Sequence, residues 1–250
     1  MGGAATPGRE MLERSDRPRL AYRYRAGNGP AIVFLPGYGS DMTGGKATAL
    51  DAHAAATGRA MLRFDYAGCG ESEGDFAAQT LDDWLGDTLA VIDALTEGPL
   101  VVAGSSMGGW LMLLTALARP RRVAGLVGIA AAPDFTDWGF AEAQRAELAR
   151  AGVLVEPSDY DVPTITTLGF WQRGQRRLLL GGEIAIDAPV RLLHGQMDDV
   201  VPWRIALDLA ERLRSAAVQL VLVKDGDHRL SRDSDIALLI ATVEALCSRS

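Results

Sequence analysis

The chain alternates short apolar runs with longer stretches of helical pattern. Ala31-Ile32-Val33-Phe34-Leu35 is an unbroken apolar run of strand length, and similar runs recur at Ala60 to Phe64, Leu100 to Ala103, Val123 to Ile129, Val190 to Leu193 and Val218 to Val223. Short runs without polar interruption fit strands covered on both faces. Helix-forming stretches lie near Lys46 to Thr57, Leu81 to Leu95, Gly109 to Ala118, Arg204 to Arg214 and Asp235 to Leu246. Strands that alternate with helices need crossover connections, so the pattern predicts the α/β class with a mostly parallel central sheet flanked by helices. Leu20-Ala21-Tyr22-Arg23-Tyr24-Arg25 instead alternates apolar with polar residues and is expected as an antiparallel edge hairpin. From about Phe135 to Asp187 no buried strand is evident. A helix near Ala141 to Ala151, a proline-containing loop near Pro157 to Pro163 and a short helix near Thr167 to Arg177 are expected there. We read residues 135–187 as a helical cap over the carboxyl edge of the sheet, inserted within a single domain spanning 1–250.

Composition narrows the partners. The chain has 250 residues, 48% hydrophobic and 23% charged, with a formal net charge of -7. That length supports one domain with a sizeable core. The negative charge argues against nucleic acid as a partner, and the apolar runs are too short to span a bilayer. Two cysteines, Cys69 and Cys247, imply neither a disulfide framework nor a metal cluster. Near the amino terminus Arg9, Arg14, Arg17 and Arg19 are interleaved with Glu10, Glu13 and Asp16, which counts against an organelle leader. The expectation is a flexible terminus on a cytoplasmic protein. Oligomeric state is not legible.

The chemistry concentrates at Gly104-Ser105-Ser106-Met107-Gly108, where a predicted strand turns directly into a predicted helix. That context suits a nucleophile elbow, which exposes the serine Oγ on a sharp turn. Side chains two positions either side of Ser106 would collide with the packed strand and helix, and glycine removes them. A nucleophilic serine needs a base, and the base needs an orienting acid. His228 follows the last predicted strand, and His194 follows the strand before it. If the acid precedes the histidine in a loop after a strand, as nucleophile-elbow sites order them, His228 is the histidine with room for it. Asp198 and Asp199 both sit in the loop after Val190–Leu193, and either could instead cap the following helix; Asp198 is the preferred acid. His194 is read as bracing the acid loop, and His53 as a helix-surface residue. Cys69, in a glycine-rich turn, is read as packed. The oxyanion donors are expected from the backbone N–H groups of Met107 and of Tyr38, in Leu35-Pro36-Gly37-Tyr38-Gly39-Ser40. Tyr38, Trp138, Phe140, Phe170 and Trp171 are candidates to line an acyl pocket, although such aromatics could equally fix the insertion to the core.

From Ala31 to Ala245 these segments together resemble the α/β-hydrolase superfamily. The resemblance rests on the elbow at Gly104 to Gly109, the acid segment His194 to Pro202, Asp227-His228, and the turn Phe64-Asp65-Tyr66-Ala67-Gly68-Cys69-Gly70-Glu71-Ser72. More narrowly, Phe34 to Tyr38, Gly104 to Met112, Val190 to Gly195, Val201-Pro202-Trp203 and Asp227-His228-Arg229 are similar to the branch containing mitochondrial protein depalmitoylases that also cleave acyl-glucuronides. The insertion matches that branch much less clearly.

The resemblance implies a serine hydrolase acting on small esters or acyl-thioesters, or on acylated proteins, with no metal or organic cofactor. An aspartate-nucleophile dehalogenase or epoxide hydrolase does not fit, because the elbow holds serine. A carbon–carbon bond hydrolase, a serine aminopeptidase and a non-catalytic ligand-binding receptor remain alternatives on the same fold.

Overall fold

The structure, a computed structural model, describes residues 6–157 and 163–248. It opens with β1 (Glu10–Leu12), β2 (Leu20–Arg25), β3 (Asn28–Leu35), α1 (Gly45–Thr57) and β4 (Arg59–Phe64). A 3-10 turn at Phe76–Ala78 leads to α2 (Leu81–Leu95), β5 (Leu100–Ser105), α3 (Met107–Ala118) and β6 (Val123–Ile129). An insertion follows, made of α4 (Phe135–Trp138), α5 (Glu142–Ala151), β7 (Val153–Glu156), β8 (Thr164–Thr167) and α6 (Leu168–Gly174). The chain closes with β9 (Val190–Gly195), α7 (Arg204–Arg212), β10 (Val218–Val223) and α8 (Asp233–Cys247).

Eight strands form one sheet in the order β1-β2-β4-β3-β5-β6-β9-β10. The pairings from β4 to β10 are parallel, and β2 pairs antiparallel with both β1 and β4. The six apolar runs read from the sequence are the six parallel strands, and the α/β architecture is as expected. The alternating Leu20–Arg25 segment is antiparallel, as expected, but it lies one strand in from the edge; the three-residue β1 takes the edge itself.

Both faces of the parallel strands are covered. On β3, Val33 and Leu35 join α2, α3 and α7 in one apolar layer through Trp84, Trp110, Leu113 and Leu209. Ile32 and Phe34 point the other way, onto Leu50 and Ala54 of α1 and Leu239 and Val243 of α8. Period-2 alternation with apolar residues on both sides is why these strands read as continuous runs. Asp65, buried at the edge of this core, is satisfied rather than excluded. Asp65 accepts from the amides of Met42 and Glu71, and Ser72 Oγ donates to the Asp65 carbonyl. The glycine-rich turn after β4 is thereby tied to the loop after β3.

The insertion departs from expectation. The segment read as a proline-containing loop, Pro157 to Pro163, is flanked by an antiparallel pair, β7 with β8; residues 158–162 of the loop lie outside the described residues. The pair is part-exposed, so it lacks the continuous apolar signature of the central strands. Its two stems are joined by Asp134. This residue has φ 60° and its buried carboxylate accepts from the backbone N–H groups of Leu179 and Leu180 at 2.7–2.9 Å. Burial pushes the Asp134 carboxyl up from its usual range against those two amide bonds. Asp134→Ala leaves two amides without partners and should lower stability by about 2–4 kcal/mol. Asp134→Asn, which keeps an acceptor oxygen and tolerates positive φ, should recover most of it; urea denaturation of both variants checks this.

Candidate active site

The carboxyl ends of β3, β5, β6, β9 and β10 share one rim of the sheet, where a parallel α/β fold places ligands. Ser106 stands at that rim between β5 and α3. Its backbone is at φ 55°, ψ -120°, a conformation that costs a non-glycine residue about 1–3 kcal/mol. The surroundings leave it no alternative. Its N–H donates to Ile129 O at 2.9 Å, and its carbonyl accepts from Ala132 N and Gly109 N. A Cβ on Gly104 would lie 2.2 Å from Gly108 O, and a Cβ on Gly108 would lie 2.1 Å from Leu35 O. The glycines flanking Ser106 are therefore required by backbone approach, as their spacing suggested. In a run that is otherwise buried, Ser106 is part-exposed.

The loop after β3 passes directly over this turn. A Cβ on Gly37 would sit 3.4 Å from Ser106 Cβ. Tyr66 Oη donates to the Pro36 carbonyl and Ser40 N to the Gly37 carbonyl, which fixes the loop's course. Tyr38 follows, its hydroxyl donating to Ile165 O of β8 at 2.6 Å. Its ring meets Phe76, Trp84, Phe135 and Phe170 edge-on, with centroids 5.0–6.1 Å away. Burial pushes the Tyr38 phenol well above its ordinary range. Met107, the first residue of α3, lies at a helix start, where amides have no partner within the helix.

Asp198 and His228 meet across the ends of β9 and β10. His228 Nδ1 lies 2.9 Å from Asp198 Oδ2. Asp198 Oδ1 accepts from Val200 N at 2.9 Å and Val201 N at 2.8 Å. The Asp198 side chain is fully buried. Burial alone would raise its carboxyl, but hydrogen bonds from His194, His228 and Val201, with the His228 charge, hold it well below the usual carboxylate range. Asp199, the other carboxylate considered, is exposed. The helix it was offered to cap has Trp203 at its N-cap with no side-chain bond. His194 is buried beside Asp198, and His53 is half-buried on α1, 3.2 Å from Glu244 of α8. Cys69 is buried, its thiol pushed up to about 12 by burial first and by Asp65 and Asp87 next, so it is not poised as a nucleophile.

Ser106, Met107, Tyr38 and His228 line one cavity of about 520 Å³, within the size range of small-molecule sites. Trp138 and Phe140, expected there, are lining residues. Phe170 and Trp171 were also expected there, and the structure corrects both. Phe170 is 1% exposed and packs on Tyr38, Trp84 and Phe135 in the core, and Trp171 Nε1 donates to Thr136 O of α4. Both fasten α6 down, Phe170 onto Tyr38 and Trp84 of α2 and Trp171 onto α4. Phe135 takes the lining position the sequence reading missed. Its place directly after the β6 loop, at the same rim as the elbow, was the available signal. Lys46 and Arg229 bring positive charge to the lining, and Glu156 of β7 brings a carboxylate.

A serine held at positive φ on a strand-to-helix turn, lining one cavity with a histidine bonded to a buried carboxylate at the sheet rim, suits an α/β hydrolase. A family model described as serine aminopeptidase, S33, matches residues 28–158. The human mitochondrial palmitoyl-protein thioesterase ABHD10 is 40% identical over 244 residues, covering 96% of this chain and 80% of that protein. The structure of mouse α/beta hydrolase domain-containing protein 10 superposes with a TM-score of 0.90 at 39% identity, covering 97% of this chain and 99% of the mouse chain. A putative hydrolase from Agrobacterium vitis S4 gives 0.90 at 37% identity, covering 96% and 98%. The chain belongs to the α/β hydrolases, in the serine aminopeptidase S33 family, and is a hydrolase enzyme.

Two outcomes follow for the site's framework. Gly108→Ala should destabilise the fold by about 3 kcal/mol or more, because the added methyl meets two backbone carbonyls; a thermal melt measures it. Asp198 carries a folded-state pKa below its unfolded value, so its stabilisation is present above about pH 4 and is lost as pH falls from there. Urea denaturation between pH 7 and pH 3 should therefore show a steeper acid loss in the wild type than in Asp198→Asn, which has no such proton to gain.

Proposed function

We propose that this hydrolase cleaves carboxylic esters and acyl-thioesters through Ser106, His228 and Asp198, by way of an acyl-enzyme. The observation that carries the reading is the 2.9 Å bond from His228 Nδ1 to a buried Asp198, with His228 and Ser106 lining the same cavity. That bond fixes the ring so that Nε2 is the nitrogen left for Ser106. Ser106 Oγ attacks the acyl carbonyl and His228 takes its proton. The tetrahedral oxyanion is received by the backbone N–H groups of Met107 and Tyr38. His228 then protonates the leaving alcohol or thiol, and activates water to release the acid. No step requires a metal or organic cofactor.

The cavity supports an acyl substrate. Phe135, Trp138 and Phe140 give it one apolar wall, fitted to a hydrocarbon or aryl acyl group. The described part of residues 135–187 acts in this reading as a cap over the rim, with Tyr38 joining the oxyanion loop to β8. Relatives named as palmitoyl-protein thioesterases match nearly the whole chain, which favours a thioester, small or protein-borne, among the substrates. Peptidase activity has only the family description behind it, a carbon–carbon bond hydrolase has only a 26% identical Pseudomonas relative named 2-hydroxymuconate semialdehyde hydrolase, and a binding-only role has no observation of its own.

A panel of p-nitrophenyl esters and acyl-thioesters of graded chain length should show turnover that depends on acyl length. Ser106→Ala should fold normally and lose turnover by several orders of magnitude, up to about 10⁶-fold. A fluorophosphonate probe should label the wild type and not the variant. Undiminished turnover or labelling in Ser106→Ala would overturn the proposal, and an unlabelled wild type would point to a receptor.

A further inference from the structure

His194 is the penultimate residue of β9, its side chain is buried, and its surroundings determine where its proton sits. Nε2 lies 3.0 Å from the Val201 carbonyl and 3.2 Å from Asp198 Oδ2. A carbonyl and an ionised carboxylate can only accept, so Nε2 carries the hydrogen and shares it between them. Nδ1 is buried and meets no hydrogen-bond partner among the described residues. A hydrogen on Nδ1 would be a buried donor with nothing to receive it, which selects the Nε2–H tautomer. Oδ2 of Asp198 thus receives two imidazoles, His194 from β9 and His228 from the loop after β10. Oδ1 is already taken by the amides of Val200 and Val201.

We propose that His194 is a positioning residue that acts on the reaction through Asp198. It fixes the carboxylate by tying it to the Val201 carbonyl, and it competes with His228 for the electron density of Oδ2. The inference rests on the reading of Ser106, His228 and Asp198 given above. Its physical basis is that each donor on a carboxylate oxygen weakens that oxygen as an acceptor for the next. With His194 in place, Asp198 orients His228 without over-stabilising its cation, so the imidazole stays available as a base. Without His194, Oδ2 turns wholly to His228, the imidazolium is favoured, and the base is lost at a higher pH. The carboxylate also gains freedom to rotate. His194 does not line the cavity, so substrate binding is left alone.

Other charged groups near this pair do not change between the variants compared. His228 shares the cavity lining with Lys46 of α1, Arg229 and Glu156 of β7, and Asp227 precedes it in the chain. Asp198 is faced by His194 and His228 and, within its own loop, by backbone amides.

The test compares His194→Met, which removes the donor at similar bulk, with His194→Gln, which retains an N–H donor. In His194→Met the acid limb of kcat/KM for a p-nitrophenyl ester should move up by about half a pH unit or more. Its kcat should fall by about tenfold, with KM within about twofold of the wild type. His194→Gln should restore the limb. NMR titration of the His228 ring in the same proteins should show the same displacement. An acid limb and a His228 titration unmoved in His194→Met would overturn the proposal. If that variant does not fold, the ¹⁵N shifts of His194 in the wild type at pH 8 decide: an Nδ1–H tautomer refutes the arrangement, and an Nε2–H tautomer, with the acid limb of His194→Gln at its wild-type position, upholds it. The tautomer and the His228 titration need no turnover. Active Ser106→Ala protein would therefore sink the hydrolytic reading while leaving these two measurements to judge His194 separately.

Discussion

Close backbone packing around Ser106 is the constraint on which the rest depends. Three strands and a helix converge so tightly that no side chain fits at position 104 or 108. The carbonyls of Leu35 and Pro36 stand where a Gly108 methyl would go, and the carbonyl of Gly108 stands where a Gly104 methyl would go. Ser106 is thereby forced to positive φ, and its N–H is engaged by Ile129 of β6. The strain of one residue is carried by the pairing of β3, β5 and β6, which runs in register from Val101 to the elbow. A serine on a relaxed loop would cost less and would also move.

A second constraint governs the acid. Asp198 is fully buried, and burial alone disfavours its charge. Four donors reverse that outcome: two backbone amides on Oδ1 and two imidazoles on Oδ2. The amides come from the turn that Asp198 itself begins, so the loop and its carboxylate define each other's position. The imidazoles come from outside the loop. One is anchored in the sheet and the other faces the cavity. The carboxylate therefore joins a rigid strand to the imidazole that faces the cavity, an arrangement that neither histidine could supply alone.

The central sheet was legible because burial on both faces leaves uninterrupted apolar runs, and each of the six runs became a parallel strand. The elbow was legible because its glycines answer to a steric rule. Asp198 could be preferred to Asp199 but not isolated from it, since adjacent carboxylates in one loop differ only in which way the turn points them. The β7–β8 pair was missed because its strands are half-exposed and carry no such run. Phe170 and Trp171 were read as lining residues because an aromatic in an insertion looks the same whether it faces a cavity or a core. Only the orientation of α6 separates these cases, and that orientation is set by contacts to Tyr38, Trp84 and Thr136 from distant parts of the chain.

Those same contacts explain how an insertion with little apolar core of its own takes a definite position. Tyr38 lies at the centre of four aromatic neighbours, two from the sheet side and two from the insertion. Aromatic pairs of this geometry each add about 0.5–1.5 kcal/mol beyond the area they bury. The Tyr38 hydroxyl reaches further, to the backbone of β8. Tyr38 therefore belongs to the loop that crosses the elbow and to the packing that seats the insertion. Any shift of β8 relative to the sheet must break that bond or pull on the loop beside Ser106. The wall of the cavity and the loop beside Ser106 are mechanically one piece, which is what the proposed acyl hydrolysis needs if the fit of a substrate at one end is to affect chemistry at the other.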